Sequence, residues 1–160
     1  MYPYFEVADI SAKRLLQNWL WLCPPDLRLV VVNAFGDLFL EDSEGAILRL
    51  AISGGQLERI SESLEKFKES AQGFEKRKVW FFEDFEISMT EQGLRPPRGQ
   101  CLGYKMPIVF KETNGAATNV YIADLHEYVS FLGDLHFQMR NVPDGGNVRL
   151  DIGPKREQCG

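Results

Sequence analysis

Apolar positions along this chain recur with two periods, one near 3.6 residues and one of 2. In residues 11–22, Leu15, Leu16, Trp19 and Leu22 fall at helical spacing and Pro24-Pro25 stops the run, which predicts a short packing helix. Residues 27–33 (LRLVVVN) form a β-branched apolar run, and 37–41 form a shorter one. Residues 46–53 set Ala46, Leu48, Leu50 and Ile52 against Ile47, Arg49 and Ala51, with turn chemistry before them in Asp42-Ser43-Glu44-Gly45. The first half is therefore expected to be a meander of antiparallel strands, with a short extended piece around Leu57.

A helix over 61–71 is expected to turn Leu64, Phe67 and Ala71 inward, and a second over 79–92 to close at Gly93 ahead of Pro96-Pro97. Within the second, Phe81, Phe82, Phe85 and Met89 mark the buried arc. Residues 101–110 and 120–123 predict strands, and Asn114-Gly115 between them suits a hairpin. A helix over 125–140 carries Leu125, Tyr128, Val129, Leu132, Leu135 and Met139 on one arc, opposite Glu127, Asp134 and Gln138. A terminal strand over 147–152 and a flexible tail over 153–160 complete the expectation. The fold class is α+β: one domain over 1–152, a mainly antiparallel sheet with packing helices and no regular βαβ alternation.

Composition changes this picture little. A chain of 160 residues, 44% apolar and 26% charged, is long enough to bury a core of its own. A net charge of −5 lacks the basic footprint that nucleic-acid binding requires, so nucleic acid is not the expected partner. Cys23, Cys101 and Cys159 are odd in number and without paired spacing, which fits reduced thiols rather than disulfides or a zinc knuckle. The N-terminal residues lack the basic and apolar regions of a secretion signal, and no apolar stretch is long enough to span a membrane. A cytoplasmic protein is the expectation.

The common catalytic signatures are missing: no phosphate loop, dinucleotide glycine string, nucleophile elbow or His-Glu-x-x-His occurs. His126 and His136 lie on one predicted helix, about 15 Å apart along its axis and turned by roughly 80°, and cannot share a metal there. His136 falls in the apolar arc and is expected to be buried, neutral and hydrogen bonded. The expectation is no enzyme, no cofactor and no metal. A pocket around Cys101, Tyr104, Lys105 and His136 is the alternative, either as a small-ligand-binding site or as an enzyme site in which a histidine activates the thiol.

Surface features point to a protein partner. Glu62, Glu65 and Glu69, partly offset by Lys66 and Lys68, form either a solvated face or a docking strip for a basic protein. Trp80 and Ile87 lie off the buried arc of their helix, beside Glu83 and Asp84. Either a second layer covers them or they are interface anchors. Trp21 is similarly off the arc of the first helix, and with Trp80 it would suit a homo-oligomeric contact. The candidate contact residues are Glu62, Glu65, Glu69, Trp80, Asp84 and Ile87.

Three segments, Phe35-Gly36-Asp37-Leu38-Phe39-Leu40, Gly99-Gln100-Cys101-Leu102-Gly103-Tyr104-Lys105-Met106-Pro107, and Asp124-Leu125-His126-Glu127 running on to Phe131-Leu132-Gly133-Asp134-Leu135-His136, resemble a known pattern. Over about residues 30–142 the chain resembles the C-terminal domain of bacterial type VI secretion DNase-immunity proteins, a domain often found behind a GAD-like domain. After Pro107 relatives continue with a Leu-Gly-Gly step, where this chain has Ile108-Val109-Phe110. The resemblance implies an immunity-type protein that masks a cognate toxin by stoichiometric binding. Physically, its motif residues suit structural roles: Gly36 and Gly103 fit tight turns or bulges, Asp124 an N-cap, and Cys101, Tyr104, Lys105, Pro107 and His136 the surrounding frame.

Overall fold

Both faces of one small sheet are covered by helices. In the computed structural model, which describes residues 10–110 and 117–147, β1 (Arg28–Val32), β2 (Leu38–Glu41), β3 (Ile47–Ala51) and β4 (Gln56–Ser61) form an antiparallel meander in that order. Asp42 accepts the backbone N–H of both Glu44 and Ala46 through Oδ1 at 2.9 Å, which fixes the β2–β3 turn expected from its sequence. On one face Leu29, Leu38, Leu40, Leu50 and Ile52 join Leu15, Trp19 and the inner arc of the last helix. On the other, Val31, Phe39 and Ile47 meet Phe67, Ala71, Trp80 and Phe81. The continuous apolar runs of β1 and β2 follow from this double burial, which leaves no solvent face to demand polar residues.

The helices depart from the expected boundaries where tertiary contacts intervene. The first is α1 (Ala12–Leu16), capped by the Ser11 side chain, and it continues as a 3-10 turn over Gln17–Trp19. The helix expected from residue 61 begins later, as α2 (Leu64–Ala71), because 60 and 61 belong to β4 and Ser63 caps the backbone N–H of Lys66. The helix expected over 79–92 is two: α3 (Phe74–Phe81) and α4 (Glu83–Glu91), separated by Phe82 at φ 50°. A left-handed bulky residue costs about 1–2 kcal/mol. The break puts Trp80 and Phe81 on the sheet while the Phe82 and Phe85 rings pack on Phe35 at 5.4 and 5.3 Å. Arg77–Glu83 at 3.0 Å and Lys78–Asp84 at 3.2 Å bridge it outside.

The second half forms a hairpin-like pair. β5 (Gln100–Tyr104) and β6 (Val120–Asp124) are antiparallel, so the strand expected to reach residue 110 ends at Tyr104. The pair joins the main sheet through Leu102 N–H donating to Ala34 O at 2.7 Å and shares a third apolar cluster with Ala34, Phe35 and Met89. The Asn114-Gly115 loop, residues 148–152 of the expected terminal strand and the tail over 153–160 lie outside the described residues.

The last helix, α5 (Leu125–Met139), has nearly the bounds and the inner arc that its periodicity predicts. It is locked to the 3-10 turn by Trp19 Nε1–H donating to Val129 O at 2.8 Å and by Asn18 Nδ2 donating to Ser130 Oγ at 2.7 Å. Gly133 makes this approach possible, since a Cβ there would lie 2.7 Å from Asn18 O. In an unobstructed helix Gly→Ala stabilises by roughly 1 kcal/mol. Here Gly133→Ala is expected to reverse that sign and destabilise the protein by about 1–3 kcal/mol, measured as a lower urea midpoint at unchanged slope.

Candidate partner-binding surface

The polar groups in the centre of the molecule are committed to holding it together. Asn33 and Asp37 flank the β1–β2 turn, where Gly36 sits at φ 85° with a prospective Cβ only 2.9 Å from Ile52, so the turn excludes any side chain. Asp37 accepts from Arg49 Nη2 and from the backbone N–H of Ile52, both at 3.0 Å, and from Asn33 Nδ2 at 3.2 Å. Burial pushes the Asp37 carboxyl up, and the Arg49 guanidinium and these donors pull it back. Asn33 also donates to Trp80 O at 3.0 Å, which ties the end of α3 to the turn.

The thiol and histidine of the alternative pocket are used structurally. Cys101 is buried beside Gly36 and Leu125, and its thiol is pushed up to about 12, first by burial and then by the carboxylates of Asp124 and Asp37. A group with that environment is the reverse of an activated nucleophile. His136 is buried; Nε2 lies 3.0 Å from Ile52 O and therefore carries the proton that this carbonyl accepts. Its ring packs tightly on Gly55 and lies 5.8 Å from Trp19. Tyr104 is half-buried, Lys105 exposed and Pro107 buried. Gly103 is not at a turn or bulge as expected: it lies inside β5, where a Cβ would meet the Tyr128 ring at 2.8 Å and displace the hydroxyl that accepts from Tyr104 N–H. Asp124 is the N-cap of α5, accepting from Glu127 N–H at 2.9 Å.

The proposed contact residues are dispersed. Trp80 is 4% exposed, stacked on Phe67 at 5.2 Å, so the second layer covers it and it offers a partner no surface. Glu62 precedes α2 rather than lying on it, and is paired with Lys66, which holds its carboxyl below the ordinary range. Glu65 and Glu69 face solvent on α2. Asp84 is exposed but paired with Lys78, and Ile87 is 47% exposed on α4.

A different surface gathers its residues in one place. Gln17, Asn18, Leu20, Trp21, Asp134 and Phe137 line a shallow hollow of about 240 Å³ between the 3-10 turn and α5. Leu20 is 57% and Phe137 40% exposed. Trp21 stacks on Trp19 at 6.0 Å and meets Phe137 edge-on at 6.2 Å, and its Nε1–H donates to Asn18 O at 3.0 Å. This is smaller than the roughly 300–1,000 Å³ clefts of small-molecule sites, and large apolar groups fixed at a surface are the anatomy of protein contacts. Trp21 carried a sequence signal by standing off the apolar arc; so did Phe137, one turn from Asp134 on the polar side of α5, and that signal was missed.

No protein-family model matches this chain, and no curated protein matches its sequence. No helix among the described residues is long and apolar enough to cross a membrane.

His136 supplies a pH test of the frame behind this surface. Burial holds its pKa below the ordinary 6.5, with hydrogen bonding to the backbone of Ile52 and Ser53 opposing. The unfolded chain therefore takes up a proton near 6.5 before the folded chain does. The stability contributed by the neutral ring is complete above that pH and is lost as pH falls through the folded value. Urea titrations from pH 8 to pH 5 are expected to show a loss that is visibly flatter in His136→Gln than in the native protein.

Proposed function

We propose that this chain is an immunity-type protein that neutralises a secreted toxin, a DNase in the form the motif resemblance implies, by stoichiometric binding in the bacterial cytoplasm. The observation that carries the reading is the hollow at α5, where Leu20 and Phe137 are held exposed beside Trp21 and Asp134 on a chain of net charge −5. A nuclease must be basic where it meets DNA, and an acidic binder is steered toward such a surface. The chemistry within the chain is consistent with a masking role, because the thiol and histidine that could act on a substrate are buried in packing and hydrogen bonding.

Protection of cells tests this reading. Candidate secreted nucleases from the source genome are expressed in a heterologous bacterial host with and without this chain. One of them is expected to degrade chromosomal DNA alone and to be silenced by co-expression. Leu20→Asp with Phe137→Asp is expected to cost binding about 2 kcal/mol or more and to restore killing. Failure of the chain to silence any of them, with its expression confirmed, contradicts the reading. The same exposed apolar groups favour self-association as the second reading, which a concentration-dependent mass in sedimentation with no toxin present would support.

A further inference from the structure

The hydrogen-bonding groups around the hollow at α5 are unequally spent. Asn18 Nδ2 donates to both Ser130 O and Ser130 Oγ, and because a carbonyl can only accept, this fixes the amide with its nitrogen toward Ser130. Trp21 Nε1–H is committed to Asn18 O, so the indole meets the hollow with carbon. Asp134 accepts from Gln138 Nε2 at 2.9 Å through Oδ2 alone. Asp134 Oδ1 and Asn18 Oδ1 accept from no group among the described residues, and Asp134 has no basic partner among them. The unspent capacity at these two side chains is therefore acceptor capacity, one of them charged, beside aromatic and aliphatic walls.

We propose that this hollow is a socket for an arginine side chain of a basic protein partner; this rests on the reading above that the chain binds such a protein. The aliphatic stem would lie along Leu20, and the guanidinium would stack against Trp21 and donate to Asp134 Oδ1 and Asn18 Oδ1. Arginine suits the site better than lysine: its planar head presents several N–H groups in one plane and stacks on aromatic faces, where an ammonium is a compact, strongly hydrated point. The ring of Phe137 already accepts such a contact, since Arg140 of this chain places its guanidinium 3.6 Å from the ring centroid and donates to Phe137 O. One face of Phe137 is thereby taken, as one face of Trp21 is taken by Trp19, so an incoming guanidinium would use the other face of the indole. The walls are held in place before any partner arrives, by the Trp19 stack and the Asn18–Ser130 bonds, so little ordering cost attends binding.

The probe is Nα-acetyl-arginine amide, titrated into the isotopically labelled full chain and followed by nuclear magnetic resonance, with the citrulline analogue as the uncharged isostere. Arginine amide is expected to shift the Trp21 indole N–H and the Asp134 amide saturably in the millimolar range. The citrulline analogue should bind about fivefold more weakly or worse. Asp134→Asn, at an exposed helix position where the fold survives, is expected to reduce arginine binding to the citrulline level. No saturable shift, an equal response to citrulline, or arginine binding unchanged in Asp134→Asn would each overturn the socket. The probe needs no toxin, so failure here with cells still protected places the toxin contact elsewhere, and success here without protection leaves the socket to another basic protein.

Discussion

The carboxylate of Asp37 lies where three parts of the fold meet. It holds Arg49 on β3, the backbone at the end of β3 through Ile52, and Asn33 across the β1–β2 turn, while Asn33 reaches on to the Trp80 carbonyl of α3. Removing one member of a buried charge pair strands the other, a loss of about 3–5 kcal/mol in comparable cases. The left-handed residue at Phe82 belongs to the same arrangement: its ring lies under the Arg49 guanidinium at 5.4 Å, so the helix break, the ion pair and the turn support one another. From this point the three apolar clusters take their places, two on the faces of the sheet and one beneath β5 and β6.

Elements governed by local periodicity were legible in the sequence, and those governed by this junction were not. The arc of Leu125, Tyr128, Val129, Leu132 and Leu135 specified α5, and the Asp42-to-Gly45 turn specified the β2–β3 hairpin. The helix expected over 79–92 breaks at Phe82 although neither Gly nor Pro lies near it to signal a break; the contacts made on either side, Trp80 O with Asn33 and Phe82 with Phe35, are to residues far away in sequence. Trp80 was ambiguous for the same reason, since its cover comes from Phe39 and Phe67 on other elements. Gly36 and Asp124 occupy the turn and N-cap positions expected of them, whereas Gly103 makes room for Tyr128 inside β5 rather than forming a turn.

The surface reading changed most. Glu65, Glu69, Asp84 and Ile87 remain accessible but are spread over α2 and α4 with Trp80 removed from between them. The hollow brings exposed apolar groups, the side-chain acceptors of Asn18 and Asp134, and side chains already fixed by hydrogen bonds into one place. Its second wall, α5, is held by Gly133 and His136, so the groups that stabilise the core also set the shape of the surface.

Masking by binding differs from enzymatic inactivation in how inhibition scales with dose. The direct measurement is the residual DNA cleavage of a purified, silenced toxin against increasing molar ratio of this chain. Stoichiometric masking predicts a linear fall that reaches zero at one equivalent and is undone when the complex is dissociated and the toxin refolded. Complete inactivation at a small fraction of an equivalent, or a toxin that stays dead after separation, would contradict it.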